Sequence, residues 1–313
     1  MQPILIRCGG YQPSASIHNR AAEAFGRALA ARVGGAARFE LDGNVVASGH
    51  DAADLLEWVR TGRIELCYFS ASYLAAAVPE LAVLDLPFAI ARREQAYAAL
   101  DGALGARLAE GLARARGYAV LGWFDNGFRH LSNRVRPIRT PADCRGLRIR
   151  TLASEQHARV FRALGMAPVA LDAAALVPAV STGAVDAQDN PLTNIVNFGI
   201  HEHHRHVTLS GHFWGAAAFL CNGEALGRWP GEVRDAVRAA AAEAVIEQRR
   251  LAAAEDRAAL AALEAAGCAI VRLGAAERAA FAAALAPVAD EARAALAPEV
   301  LDALDGAASV ASS

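Results

Sequence analysis

The chain alternates short apolar runs with stretches whose apolar residues recur at helical spacing. Residues 4–8 form an apolar run closed by Gly9-Gly10, and 17–33 carry Ala21, Phe25, Ala28 and Leu29 on one helical stripe. Residues 38–41 read as a second strand, and 52–61 as a helix ended by Gly62, a natural left-handed cap. Strands are predicted at 64–69 and 81–86, helices at 92–100 and 103–116, and a buried strand at 119–124. This strand–helix alternation predicts an α/β fold with a largely parallel sheet.

A second unit is predicted from about Asp125. It reads as strand 147–150, helix 155–164, strand 168–171, helix 173–181 and strand 185–188. Residues 206–209 and 216–221 read as two further strands. From Pro230, suited to a first helical turn, an Ala/Glu/Arg pattern runs to Gly267. Such a helix is roughly 50 Å long, more than a domain diameter, so it is predicted to cross both domains. A strand at 269–273 and helices to about 304 follow, then a flexible tail at 306–313.

Composition narrows the chemistry. Hydrophobic residues make up 54% and charged residues 20%, the balance of a globular chain with a real core. A net charge of -2 argues against nucleic-acid binding, and no apolar run is long enough to span a membrane. All 31 basic residues are arginine. That excludes lysine Schiff-base and P-loop chemistry, so an anion held by charge must be held by Arg or His. The five cysteines are far apart with no C-x-x-C, which predicts isolated buried thiols.

Motifs for catalysis are weak. His201-Glu202-His203-His204-Arg205-His206 is not H-E-x-x-H, since Arg205 stands where the second histidine would be. It reads as a solvated surface loop. A metal-dependent hydrolase using His201–His206 is the least favoured alternative. No G-x-S-x-G and no G-x-G-x-x-G occurs. No catalytic residue, metal or cofactor is predicted.

One constellation differs. Arg129, Arg148, Arg150, Asp189, Asn190 and Asn194 stand beside glycines, turns or strand ends. The segment Asp125-Asn126-Gly127-Phe128-Arg129-His130-Leu131-Ser132-Asn133, then Arg136-Pro137-Ile138, resembles the N-G-x-R-x-x-[ST]-N…R-P-I segment of DctP-type solute-binding proteins. These serve tripartite ATP-independent periplasmic (TRAP) transporters. Gly146-Leu147-Arg148-Ile149-Arg150 is similar to that family's G-L-K-I-R strand, and Val185–Leu192 to its V-D-G-Q-E-N-P-L. Val207–His212 resembles L-T-x-T-G-H, and Leu84-Asp85-Leu86-Pro87-Phe88 its L-x-L-P-F run.

The resemblance implies a two-lobed periplasmic-binding-protein fold, with hinge strands and a long helix crossing both lobes. Lobe I is expected at 1–124 plus about 212–250, and lobe II at 125–211 plus about 251–305. It implies a periplasmic protein that binds a small organic acid and delivers it to TRAP membrane permease subunits. Met1–Arg7 lacks the basic and apolar regions of a signal peptide, so either the protein is cytoplasmic or a leader has been removed; the resemblance implies the second. An ABC-type or sensor-associated organic-acid binding protein is the alternative. Arg150 is implied to clamp the carboxylate, whose geometry matches its planar fork of N–H donors. Arg129 and Asn190 are implied to assist, while Arg148 is expected to face away, at the surface. Tyr11, Gln12, Ser70, Tyr73, His212 and Trp214 are further candidate contacts. Ala187, Asp189 and Ala175–Ser181 depart from the family pattern, and Ser70 stands where some members are acidic. That favours a hydroxylated or aromatic monocarboxylate over an amino-sugar acid.

Overall fold

The computed structural model describes residues 3–310. The chain forms two units: Met1–Ser70 with Arg107–Asp125 and Ala216–Ala254, and Ala71–Ala106 with Asn126–Gly215 and Glu255–Ser313.

In the first unit, β1 (Ile4–Gly9) pairs in parallel with β2 (Ala37–Asp42) and with β3 (Leu66–Ser70). The end of a long strand, β8 (His206–Asn222), runs antiparallel to β3, with Leu66 opposite Cys221 and Ser70 opposite Ala217. Helix α1 (Ile17–Val33) buries Ala21, Phe25 and Leu29, the apolar stripe of its sequence. Its cap is Ser16, whose side chain accepts from the Asn19 N–H. The buried Asn19 amide donates to the carbonyls of Gln12, Pro13 and Gly43, and its oxygen accepts from Tyr68. One side chain thus fixes the two loops that follow β1 and β2. α2 (Asp54–Thr61) ends at Gly62, with φ of 74°.

In the second unit, β4 (Tyr118–Asn133) pairs antiparallel with β7 (Ala187–Pro191). β5 (Arg148–Thr151) lies parallel to both β7 and β6 (Ala167–Ala170). Leu131, Ile149, Val160, Phe161 and Phe213 form one core, with α5 (Glu155–Ala163) supplying Val160 and Phe161. A second core gathers Leu176 and Val180 of α6 (Ala173–Thr182) with Ile195 and Val207. Helix α9 (Gly231–Ala265) is 35 residues long, and its residues are divided between the units after Ala254. α10 (Ala275–Ala294) and α11 (Pro298–Val310) close the chain.

Several expectations need correction. Residues predicted as a strand at 81–86 lie in a 3-10 helix, Pro79–Asp85, begun by the proline. Residues 71–106, assigned above to lobe I, pack with the second unit. One buried link in this packing is Asp85, whose Oδ1 accepts from Ser72 Oγ at 2.7 Å and lies 3.0 Å from His157 Nε2 of α5. The strand predicted at 119–124 runs for 16 residues, and those at 206–209 and 216–221 are one strand of 17. Each long strand carries a glycine of positive φ, Gly127 at 89° and Gly211 at 55°. Residues 306–310, expected in a flexible tail, continue α11, while 311–313 lie outside the described residues. All five cysteines are free and buried.

Candidate binding site

Arg150 sits near the carboxyl end of β5, beside Gln188 of β7. Its side chain is among the largest buried ones, 2% exposed. The guanidinium donates from Nε and Nη2 to the Leu171 carbonyl, at 3.1 and 2.7 Å, and from Nη2 to the Tyr73 hydroxyl at 3.4 Å. Among the described residues it forms no ion pair. A buried cation without an anion is costly, so its environment is one that a carboxylate would improve. Tyr73 is held protonated here: burial pushes its hydroxyl up, against the pull of Arg150.

Arg148 was expected to face away from Arg150. Two residues apart, they share a face of the strand. What separates them is position: Arg148 stands at the exposed start of β5, where Asp186 takes its Nε and Nη2 at 2.9 and 2.7 Å.

Arg129, on β4, is also buried, but its charge is matched. Nε donates to Asp189 Oδ2 at 2.5 Å and Nη2 to the Asp189 carbonyl at 2.6 Å. Burial alone would raise the Asp189 carboxyl. The Arg129 charge and hydrogen bond, with the His212 ring alongside, overcome it and hold the acid well below the carboxylate range. His212 Nε2 lies 3.5 Å from Asp189 Oδ2, and its Nδ1 is 2.7 Å from Ser210 Oγ. Burial lowers the His212 pKa despite Asp189, so the ring is neutral at pH 7. Ser210, His212, Asp189 and Arg129 thus form one buried chain of polar contacts.

Asn190 belongs to a second chain. Its amide donates to Gln188 Oε1 at 2.5 Å, Gln188 donates to Ser132 Oγ at 2.6 Å, and Ser132 meets His204 Nδ1 at 3.2 Å. One Asn190 N–H remains for another acceptor. Trp214 is buried, its ring edge-on to Tyr97 at 6.4 Å, and its indole nitrogen has no protein acceptor among the described residues. Tyr11, Gln12 and Ser70 fall in the first unit. Tyr11 packs on Tyr68 and Phe69 at 5.6 and 5.0 Å, Gln12 is buried with its carbonyl bound by Asn19, and Ser70 ends β3.

Comparison with known proteins decides the family. A family model described as DctP, bacterial extracellular solute-binding protein, family 7, matches residues 8–295. The chain belongs to the DctP family. It is 40% identical over 214 residues to protein y4mM of Sinorhizobium fredii, spanning 68% of this chain but only 39% of that protein. A solute-binding protein of Verminephrobacter eiseniae is 31% identical over 270 residues, 86% of this chain and 78% of the relative. Among solved structures, a sugar-acid-binding protein of Advenella mimigardefordensis in complex with galactonate superposes with a TM-score of 0.94, at 26% identity, covering 99% of both chains. A TRAP periplasmic solute-binding protein of Roseobacter denitrificans with bound β-D-glucuronate gives 0.89, at 28% identity, covering 96% of this chain and 98% of that one. These neighbours share the two-lobed α/β fold. No helix among the described residues is long and apolar enough to cross a membrane.

The DctP-family reading absorbs most of the motifs, but it left two features unseen. The Asp85–His157–Ser72 link was missed, although an acid between leucines in an apolar run is a usable signal. The histidine cluster is also less uniform than a surface loop. His203 is exposed, but His204 is fully buried on Ser132, and His201 Nδ1 meets the Ile195 carbonyl at 3.2 Å. Among the described residues, no three His, Cys, Asp or Glu side chains are grouped to hold a metal.

Proposed function

We propose that this DctP-family protein captures a small organic acid in the periplasm through Arg150 and delivers it to TRAP-type membrane permease subunits. The observation that carries the reading is the buried Arg150 guanidinium, which has no carboxylate partner among the described residues. An incoming carboxylate would take the two-point bond that the planar fork offers. The Tyr73 hydroxyl and the remaining Asn190 N–H are further polar contacts for it. Arg129 acts beside them as a fixed positive group, its position set by Asp189. Family relatives that bind galactonate and glucuronate support a hydroxylated monocarboxylate as the ligand class. The family match favours this role over an ABC-type or sensor-associated protein.

The test is a thermal-shift screen with galactonate, glucuronate, succinate and pantoate, followed by calorimetry on the best acid. Arg150→Ala is expected to cost about 3 kcal/mol, roughly a hundredfold in Kd. Arg150→Lys, which supplies charge without the fork, is expected to cost about 1.4 kcal/mol, roughly tenfold. An acid that binds Arg150→Ala as tightly as the parent protein would overturn the clamp.

A further inference from the structure

A groove of about 670 Å³ opens within the second unit, on residues that the Arg150 clamp does not use. Its walls are Phe88, Ile90, Phe128 and Leu209, with Ala279 and Ala282 of α10 along one side. Its volume is that of an ordinary small-molecule site.

The polar groups in it are few. Arg278 lines the groove, donates only to the Ser210 carbonyl at 3.2 Å, and forms no ion pair among the described residues. His130 Nδ1 accepts the Gly211 N–H at 3.1 Å, which places the ring proton on Nε2 as a donor. Burial first, then the neighbouring His212 ring and the cations Arg278, Arg93 and Arg129, push the His130 pKa down to about 3, so this donor is uncharged at neutral pH. Asp256 also lines the groove, but Arg93 Nη2 binds it at 3.1 Å. Arg93 in turn lies 5.7 Å over the Phe128 ring. Nearby Glu277 is committed to the Gly274 N–H and to Arg139. The balance of charge at the groove is therefore positive, carried by Arg278.

Two backbone features shape it. A Cβ on Gly211 would stand 3.7 Å from Arg278 Nη1, 3.8 Å from Phe128 Cδ1 and 3.9 Å from His130 Cε1, so the bare glycine leaves room between cation, ring and donor. Phe88, with φ of 59°, is the single non-glycine residue of positive φ among the described residues. Its N–H is held by the His212 carbonyl at 2.9 Å. Strain of this sort gathers at ligand clamps, and here it sets a phenyl ring in the groove wall.

We propose that this groove is a second ligand site, separate from the Arg150 clamp, for a monocarboxylate with an aromatic or branched apolar body. The carboxylate meets Arg278 and the His130 N–H, and the apolar body lies between Phe88, Phe128 and Leu209.

The probe is 4-bromobenzoate, soaked into crystals and titrated by calorimetry. The bromine is expected between Phe88 and Phe128, and its anomalous peak is expected to vanish in Ala279→Phe, which fills the groove from an exposed helix face. In solution, Arg278→Gln is expected to weaken binding at least fivefold, while Arg150→Ala leaves this event unchanged. Bromine at Arg150 alone, or nowhere, overturns the proposal. So does an Arg278→Gln protein of unchanged affinity, or a crystal peak with no binding in solution, which would mark binding at crystal concentration only. Should Arg150→Ala fail to fold, the bromine position in the parent protein still decides.

Discussion

The two units bury polar groups to different ends. Among the described residues, the first unit buries one carboxylate and no guanidinium: Asp125, whose main-chain N–H and C=O are both met by Gln248 at 2.7 Å. Of its other buried polar residues, Asn19 and Asn222 donate to backbone carbonyls and so hold loops and helix ends. The second unit buries Asp85, Asp189, Arg129 and Arg150. Two acids and two bases could have made two ion pairs, yet one forms. Asp85 is taken by Ser72 and His157, Asp189 by Arg129, and Arg150 is left over. Neutral hydrogen bonding builds a framework, whereas an unbalanced buried charge leaves a position that an anion would improve.

The contrast can be broken at Asp189. Asp189→Asn leaves Arg129 buried without its counter-charge and is expected to cost about 3–5 kcal/mol in urea unfolding. A variant as stable as the parent would mean that Arg129 needs no partner, and the distinction between the two arginines would fall.

Acid sharpens the comparison. Burial holds His18 of the first unit and His130 of the second at about 3, and His204 of the second at about 4. These values lie below the ordinary 6.5, so the unfolded chain binds more protons between about 4 and 6.5. Stability is therefore complete above about 6.5 and is lost as the pH falls, by about 2 kcal/mol per histidine at pH 5. With two such rings against one, the second unit is expected to lose hydrogen-exchange protection first. Equal loss in both units would refute that ordering.

The smallest effect lies in the first unit. Gln248→Leu removes the two main-chain hydrogen bonds that Gln248 makes to Asp125 and is expected to cost about 1–3 kcal/mol of stability. Calorimetry should find the acid bound as tightly as before, and a large loss of affinity would place Gln248 in the binding chemistry.

How much of this could be read from the chain depends on what each segment's residues encode locally. The helices at 17–33, 54–61 and 231–265 show their stripes, caps and lengths directly. The 79–85 segment does not, because a short apolar run has no periodicity that separates strand from helix. The sequence predicts a break in the strand between 209 and 216; it instead runs unbroken through Gly211, whose φ is positive. Arg150 stood out as a candidate because its motif is contiguous, and the structure adds that its side chain is buried. The pairing of Arg129 with Asp189, 60 residues apart, was not, because it is set by the register of β4 on β7. His157 and Asp85 are equally remote in sequence and meet only through packing.

The five buried cysteines turn the protein into its own unfolding clock. Burial raises Cys144 and Cys221 to about 12, and Cys8, Cys67 and Cys268 are shifted upward as well. A thiolate-seeking reagent therefore meets five latent targets that become reactive as the chain opens. With no lysine side chain to compete for electrophiles, the time course of covalent labelling would count opening events one thiol at a time.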